Sequence, residues 1–292
     1  MIDLSKLTAY VDEQRLPLIR KSVLDARTIN HISLQTGVKS ATALNILDTN
    51  VTFGDGASCG WNEDGTSTLS QRQIVPASLK VNMSFCDKKM QKYWMQNEVN
   101  VAAGRSTLPF EEEFIGGIID DIRSKLDGII WNGITINGTK YNGLLDIAGE
   151  EGVISAEAGS TVYGTVKNVY MSIPASSLDK TKIFVGMDTF RSLVMELTEK
   201  NLFHYDEKVN DSFTCILPGT MTEVVGVEGL NGKNKVVALN TKHTFYGTDL
   251  ESDYETFDLW YSKDNQEFRV AINFIAGVQV AYLNEVVVAT LQ

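Results

Sequence analysis

Pro109-Phe110-Glu111-Glu112-Glu113-Phe114-Ile115-Gly116-Gly117-Ile118-Ile119-Asp120-Asp121-Ile122-Arg123-Ser124-Lys125-Leu126-Asp127-Gly128-Ile129-Ile130-Trp131 is the most strongly patterned stretch of the chain. Phe110, Phe114, Ile118, Ile122, Leu126 and Ile129 recur at helical spacing, and Ile115, Ile119 and Ile130 widen the stripe. The spacing predicts an amphipathic helix of about six turns with one broad buried face. Pro109 suits the first turn, Thr107 is a candidate cap, and the three glutamates lie where the positive end of the helix dipole favours anions. Gly133 is placed to end it.

Upstream, residues 1 to 38 read as an arm of short helices. Leu4, Leu7 and Val11 share one face, Pro17 opens a second helix, and Leu16, Ile19 and Val23 form its stripe. The texture then changes. Residues 39–86 carry strand-like runs from Ala41 to Phe53 and from Thr66 to Phe85, separated by Gly, Asp and Asn punctuation that ends at Asp64-Gly65. This predicts a long β-hairpin with little core of its own, stabilised by lying on something else, such as a neighbouring subunit.

Downstream, residues 87–160 hold the long helix and two Asn-Gly turns between short extended pieces. Residues 161–245 alternate. A helix with Val166, Val169 and Ile173 on one side stops at Pro174, and Ile183-Phe184-Val185 is a buried-strand run. A second helix follows, with Asp188 as candidate cap and Phe190, Leu193, Val194 and Leu197 inward. Strands at 223–227 and 235–239 close a compact α/β unit. Residues 246–292 read as a strand, a turn and long returning strands. The fold class is α+β, with the first and last thirds packed together around an inserted unit.

The chain of 292 residues is 43% hydrophobic and 22% charged, an ordinary globular balance. Its net charge of −11 is opposite in sign to that of a protein that binds nucleic acid directly. A wall confining DNA driven in by a motor needs no such neutralisation. No apolar run approaches the ~18 residues of a membrane helix, and Met1-Ile2-Asp3-Leu4 lacks the layout of a secretion signal. The expectation is a soluble protein, cytosolic when made. Cys59, Cys86 and Cys215 are too widely spaced for a zinc ribbon or a Cys-x-x-Cys motif and read as free thiols.

Enzyme motifs are weak. Gly56-Ala57-Ser58-Cys59-Gly60 fits G-x-S-x-G formally, with His204 or His243 as nominal partners for Ser58. A nucleophile elbow must run from a strand into a helix, whereas Trp61-Asn62-Glu63-Asp64-Gly65 is a turn sequence, so a glycine-rich hairpin tip is the better reading. Gly226, Gly229, Gly232 and Lys233 have the wrong spacing for a phosphate loop, and Asn234 stands where Ser or Thr should hold magnesium. His31, His204 and His243 are isolated, and no cofactor or zinc is expected. Asp249, Glu251, Asp253 and Glu255 offer oxygen ligands for calcium but lack the layout of a dedicated loop, which favours a solvated or intersubunit acidic loop. Trp61, Tyr93, Trp94, Trp131 and Trp260 do not sit among basic residues and read as core or interface anchors.

Four stretches taken together resemble a known family. They are Gly56 to Trp61, Leu79-Lys80-Val81-Asn82 to Trp94, Leu108-Pro109-Phe110 to Trp131-Asn132-Gly133, and the ending. The ending runs from Phe245-Tyr246-Gly247-Thr248-Asp249-Leu250 through Phe257-Asp258-Leu259-Trp260-Tyr261 to Ala276-Gly277-Val278-Gln279-Val280-Ala281. They resemble the major capsid proteins of tailed bacteriophages, notably those of crAss-like phages.

The resemblance implies the Hong Kong 97-type capsid fold: N-terminal arm, E-loop hairpin, spine helix, peripheral domain at 87–160 and 246–292, and axial domain at 161–245. It implies pentamers and hexamers of an icosahedral shell around double-stranded DNA, with a portal and separate scaffold or decoration proteins as partners. Assembly would take place in the bacterial host cytoplasm. Leu7 and Val11 on the arm, with Asp55, Trp61 and Gly65 at the hairpin tip, are the candidate assembly residues. No Lys and Asn pair stands out for crosslinking. An encapsulin-type nanocompartment shares the implied fold, a serine hydrolase would need a reactive Ser58, and a tail or adhesion protein would form rods or trimers.

Overall fold

The computed structural model describes residues 18, 23–53, 65–86, 95, 99, 110–200, 213–249, 256–265 and 267–291. The first elements are β1 (Ser33–Gln35), β2 (Thr42–Val51), β3 (Gly65–Ile74), β4 (Ala77–Cys86) and α1 (Phe110–Asn132). Next come β5 (Ile134–Ile136), β6 (Thr139–Tyr141), α2 (Leu144–Ile147), β7 (Ile154–Ser155), α3 (Val162–Ser172), β8 (Thr181–Gly186) and α4 (Met187–Glu199). The last are β9 (Thr214–Ile216), β10 (Glu223–Val227), β11 (Lys235–Asn240), β12 (Thr244–Gly247), β13 (Thr256–Ser262), β14 (Glu267–Val280) and β15 (Val287–Thr290).

One sheet is built on β14, whose 14 residues alternate between partly exposed and buried along their whole length. Phe268, Val270, Ile272, Phe274, Ala276, Val278 and Val280 point inward, as a period of two requires. Strands β4, β12 and β13 pair with it, and β1 adds to β12 in parallel. The stripe of α1 shares this core: Ile115, Ile118, Ile119, Ile122, Leu126 and Ile130 are all buried with the inward residues of β14. The helix stops at Gly133, whose φ of 68° is left-handed. An Asn137-Gly138 turn with φ of 50° and 80° then joins β5 to β6.

The second sheet has six strands in the order β7-β15-β11-β8-β10-β9. Its central strands read as continuous apolar runs because both faces are covered. Ile183 and Val185 of β8 pack with Val166 and Val169 of α3 and Leu193 and Leu197 of α4. Phe184 between them points the other way, into the core around Trp131. A single strand thus joins two cores.

Several expectations need correction. The run from Thr66 to Phe85 is not one strand: β3 ends at Ile74, Val75-Pro76 breaks it, and β4 leaves the hairpin to pair with β14. Proline has no amide proton for a ladder, so the hairpin proper spans only β2 and β3. Not all of the returning segment stays with the first sheet, because β15 pairs with β11 in the second, as does β7 with β15. Conversely, β12 at the end of the 161–245 unit belongs to the first sheet. Residues 23–38 are no free arm: Val23, Ala26, Thr28 and Val38 are fully buried. Asp188 does not cap α4, whose N-cap is Gly186. The Asn231 side chain takes the Met187 amide at 2.7 Å, and Asp188 accepts from the Thr189 and Gly232 amides at 2.7 and 2.9 Å.

Candidate assembly surfaces

The β2–β3 hairpin pairs Leu47 directly opposite Leu69, Thr49 opposite Ser67 and Val51 opposite Gly65. Because side chains alternate, these residues share one face, while Asp48, Asn50, Thr66, Thr68 and Ser70 share the other. Near the root Ile46 and Ile74 are buried. Beyond it the described residues leave the apolar face of the ribbon uncovered. Leu47, Leu69 and Val51 are 57%, 72% and 73% exposed, and Phe53 beyond the strand is 99% exposed. A two-stranded ribbon is marginal in water by itself, and an apolar face held out to solvent on it is a surface awaiting cover.

Of the five candidate assembly residues, Gly65 is the one described. It opens β3 opposite Val51, and a Cβ there would lie 2.7 Å from the Asn50 carbonyl oxygen, so the close strand approach needs glycine. Leu7, Val11, Asp55 and Trp61 lie outside the described residues, as does Ser58. Leu47, Leu69 and Val51 had not been singled out. Their signal was present, since Leu47 and Val51 fall four apart in a strand and therefore on one face.

The hairpin root is tied to the body by side chains. Tyr282 Oη donates to the Leu47 carbonyl at 3.1 Å, and Gln279 Nε2 donates to the Gln73 carbonyl at 2.8 Å. Arg72 Nη2 reaches Glu150 at 2.7 Å and Gln279 Oε1 at 3.1 Å. These bonds set the direction in which the ribbon leaves the molecule.

The body itself is knotted at Asp127, which is 2% exposed. Its Oδ1 accepts the Thr28 amide at 3.0 Å and the Thr28 hydroxyl at 2.6 Å, and its Oδ2 accepts the Gly229 amide at 2.8 Å. Trp131 Nε1 donates to Thr28 Oγ1 at 2.7 Å. One carboxylate therefore joins the N-terminal strap (residues 23–38) to α1 and the turn after β10, with its charge spread over three donors.

The candidates for chemistry are placed otherwise. His31 Nδ1 lies 3.2 Å from Lys182 Nζ, which pairs with Glu223 at 2.7 Å. Among the described residues, His243 Nδ1 is partnered by Glu285 at 2.6 Å and Asn240 at 3.1 Å, and its ring lies against Tyr282 with centroids 4.7 Å apart. His204 is outside the described residues. Burial pushes the Cys215 thiol up to about 11, which keeps it protonated. Gly226 lies within β10, Gly229 in a turn of 3₁₀-helix at Glu228–Leu230 and Gly232 in the turn ahead of β11, so they do not form a phosphate loop. Among the described residues no group of three His, Cys, Asp or Glu could hold a metal ion. No helix of the described residues is long and apolar enough to cross a membrane.

Against solved structures, the capsid of an empty GTA particle matches with a TM-score of 0.61 at 10% identity, over 91% of this chain and 89% of that one. The satellite phage P4 procapsid, including its size determination protein, gives 0.62 at 9% identity over 100% and 98%. The fold is the Hong Kong 97-type capsid fold. In its terms α1 is the spine helix, the β2–β3 ribbon the E-loop, the β14 sheet the peripheral domain and the six-stranded sheet the axial domain. A virus-like particle from Pyrococcus furiosus also matches, with a TM-score of 0.54 at 8% identity over 94% and 98%. No family model and no curated protein matches by sequence.

Proposed function

We propose that this chain is the major capsid protein of a tailed bacteriophage, assembling as pentamers and hexamers into an icosahedral shell around double-stranded DNA. The observation that carries this reading is the exposed apolar face of the E-loop, displayed on a Hong Kong 97-type body. A ribbon whose apolar face the described residues leave uncovered gains burial when a neighbouring copy covers Leu47, Val51 and Leu69, and each such contact repeats around a closed shell. Gly65 keeps the two strands close where the ribbon begins its return. Leu7, Val11, Asp55 and Trp61 are assigned to the same intersubunit contacts. The motifs quoted above resemble those of crAss-like phages. The net charge of −11 suits a wall that confines DNA without binding it. A portal and separate scaffold or decoration proteins complete the particle, which forms in the bacterial host cytoplasm.

The second reading, an encapsulin-type nanocompartment, is favoured by the likeness to the Pyrococcus virus-like particle over nearly the full length of both chains. The two readings differ in contents: particles purified from a producing host hold DNA in the first and a cargo protein in the second. Deleting residues 54–65 tests what both share. A folded protein that no longer assembles supports the hairpin as the intersubunit contact, and normal shells from that variant overturn it.

A further inference from the structure

We propose that Arg27 is a latch: its guanidinium holds Phe213 in a left-handed backbone conformation and so keeps the edge strand β9 seated on β10. Among the described residues three that are not glycine have a left-handed φ, and two of them, Asn137 and Asn234, are of the type that tolerates it. Phe213, with a φ of 47°, is not. A bulky residue in this region is strained, and it stays there only where its surroundings hold it.

Arg27 supplies that hold. Its guanidinium carbon lies over the Phe213 ring, 4.6 Å from the ring centre, and covers one face of a residue that is 48% exposed. Arg27 Nη1 also donates to the Gly226 carbonyl at 3.3 Å and to Met187 Sδ at 3.1 Å. The Gly226 amide in turn donates to the Phe213 carbonyl at 2.9 Å, one step beyond the ladder in which Thr214 faces Val225. Strand β9 has three residues and stands at the end of the six-stranded sheet, so few bonds secure it. Cys215 at its middle is buried. Thr28, the next residue of the strap, is bonded to Asp127 of α1. Two successive residues thus fix the edge of the second sheet to the spine helix. Whenever β9 lets go, β10 is left with unpaired backbone groups, a template for another chain. The latch guards that edge. It is independent of the shell reading.

The test is the rate at which N-ethylmaleimide labels Cys215 in the native full chain, read peptide by peptide by mass spectrometry with exposed Cys86 as the reference. Arg27→Met is expected to speed labelling of Cys215 about tenfold and to leave Cys86 labelling and amide exchange in β11 unchanged. Phe213→Gly, which takes a left-handed φ without strain, should label within about twofold of the wild type. Added to Arg27→Met, it should bring labelling back to that range. Such a rescue separates holding the backbone from packing on the ring, since glycine restores no contact. Unchanged labelling in Arg27→Met overturns the proposal, as does an equal quickening of β11, which would mean general loosening. A double variant that labels as fast as Arg27→Met overturns it too. Where Arg27→Met does not accumulate, Phe213→Gly decides alone: labelling no more than about twofold faster than the wild type supports the latch, and anything faster overturns it.

Discussion

The Thr28 hydroxyl donates to Asp127 Oδ1 at 2.6 Å while accepting the indole N–H of Trp131 at 2.7 Å. Thr28 lies 99 residues before Asp127, so one hydroxyl fastens the strap to the spine helix at a buried point. Asp127→Ala strips three buried donors of their acceptor and should lower stability by about 3 kcal/mol or more. Thr28→Val, which keeps the shape and loses the relay, should cost about 1 to 3 kcal/mol. Urea denaturation followed by tryptophan fluorescence measures both. A loss under about 0.5 kcal/mol for Asp127→Ala would mean that the node does not hold the strap.

The paired substitution Leu47→Ser with Leu69→Ser removes apolar area that the isolated chain leaves in water. It should change the stability of the unassembled chain by no more than about 0.5 kcal/mol. Assembly, followed by sedimentation, should be lost. Unfolding of the variant, or unimpaired assembly, would each remove the ribbon's apolar face from the account.

Tyr282→Phe deletes the bond to the Leu47 carbonyl, worth about 1 kcal/mol, with the ring's place against His243 retained. Amide exchange in β2 should then quicken about fivefold while β14 stays protected. Equal change in both strands would show that Tyr282 supports the whole sheet and not the direction of the ribbon.

Acid should loosen the strap at His31. Burial first, then the Lys182 charge and more weakly that of Arg27, hold this imidazole below its ordinary value of 6.5, against an opposing pull from Glu223. The folded chain therefore binds fewer protons here than the unfolded one. Stability owed to the neutral ring is complete above pH 6.5 and is lost as pH falls through that value toward the lower folded one. Asp146 and Asp188 act only in stronger acid. Partial burial pushes each up, but hydrogen bonds from Lys140 and the Gly143 amide, and from the Gly232 and Thr189 amides, hold both below the ordinary 3.8. Their contribution is present above that value and disappears as pH falls through the folded values. Melting midpoints across this range should fall on acidification in the wild type and fall less between about pH 7 and pH 5 in His31→Gln.

Thiol labelling offers a further check on packing. Cys86 is exposed at the end of β4 and should react with maleimide at neutral pH, whereas buried Cys215 should react only after unfolding. Fast labelling of Cys215 in the native protein would contradict the packing of β9 against β10.

What was legible in the sequence was local and periodic. The stripe of α1, its end at Gly133, the stop of α3 before Pro174 and the apolar run of β8 each follow from spacing within a few residues. What escaped depends on distant partners. Nothing local tells that Val287–Thr290 crosses to the second sheet, that Thr28 finds Asp127, or that Asn231 and not Asp188 closes the start of α4. Pro76 is legible too, since a proline within a strand run marks its break. The candidates Asp55 and Trp61 rest on position at the hairpin tip alone, while the apolar face at Leu47, Val51 and Leu69 follows from strand parity once the register is known.

The central claim is that this chain closes into shells through its E-loop, and negative-stain electron microscopy of the chain expressed alone tests it most directly. The account predicts closed particles, or rings of five and six subunits, in the soluble fraction, and their loss in the Leu47→Ser, Leu69→Ser variant. Closed shells that form just as well from the Leu47→Ser, Leu69→Ser variant would contradict it.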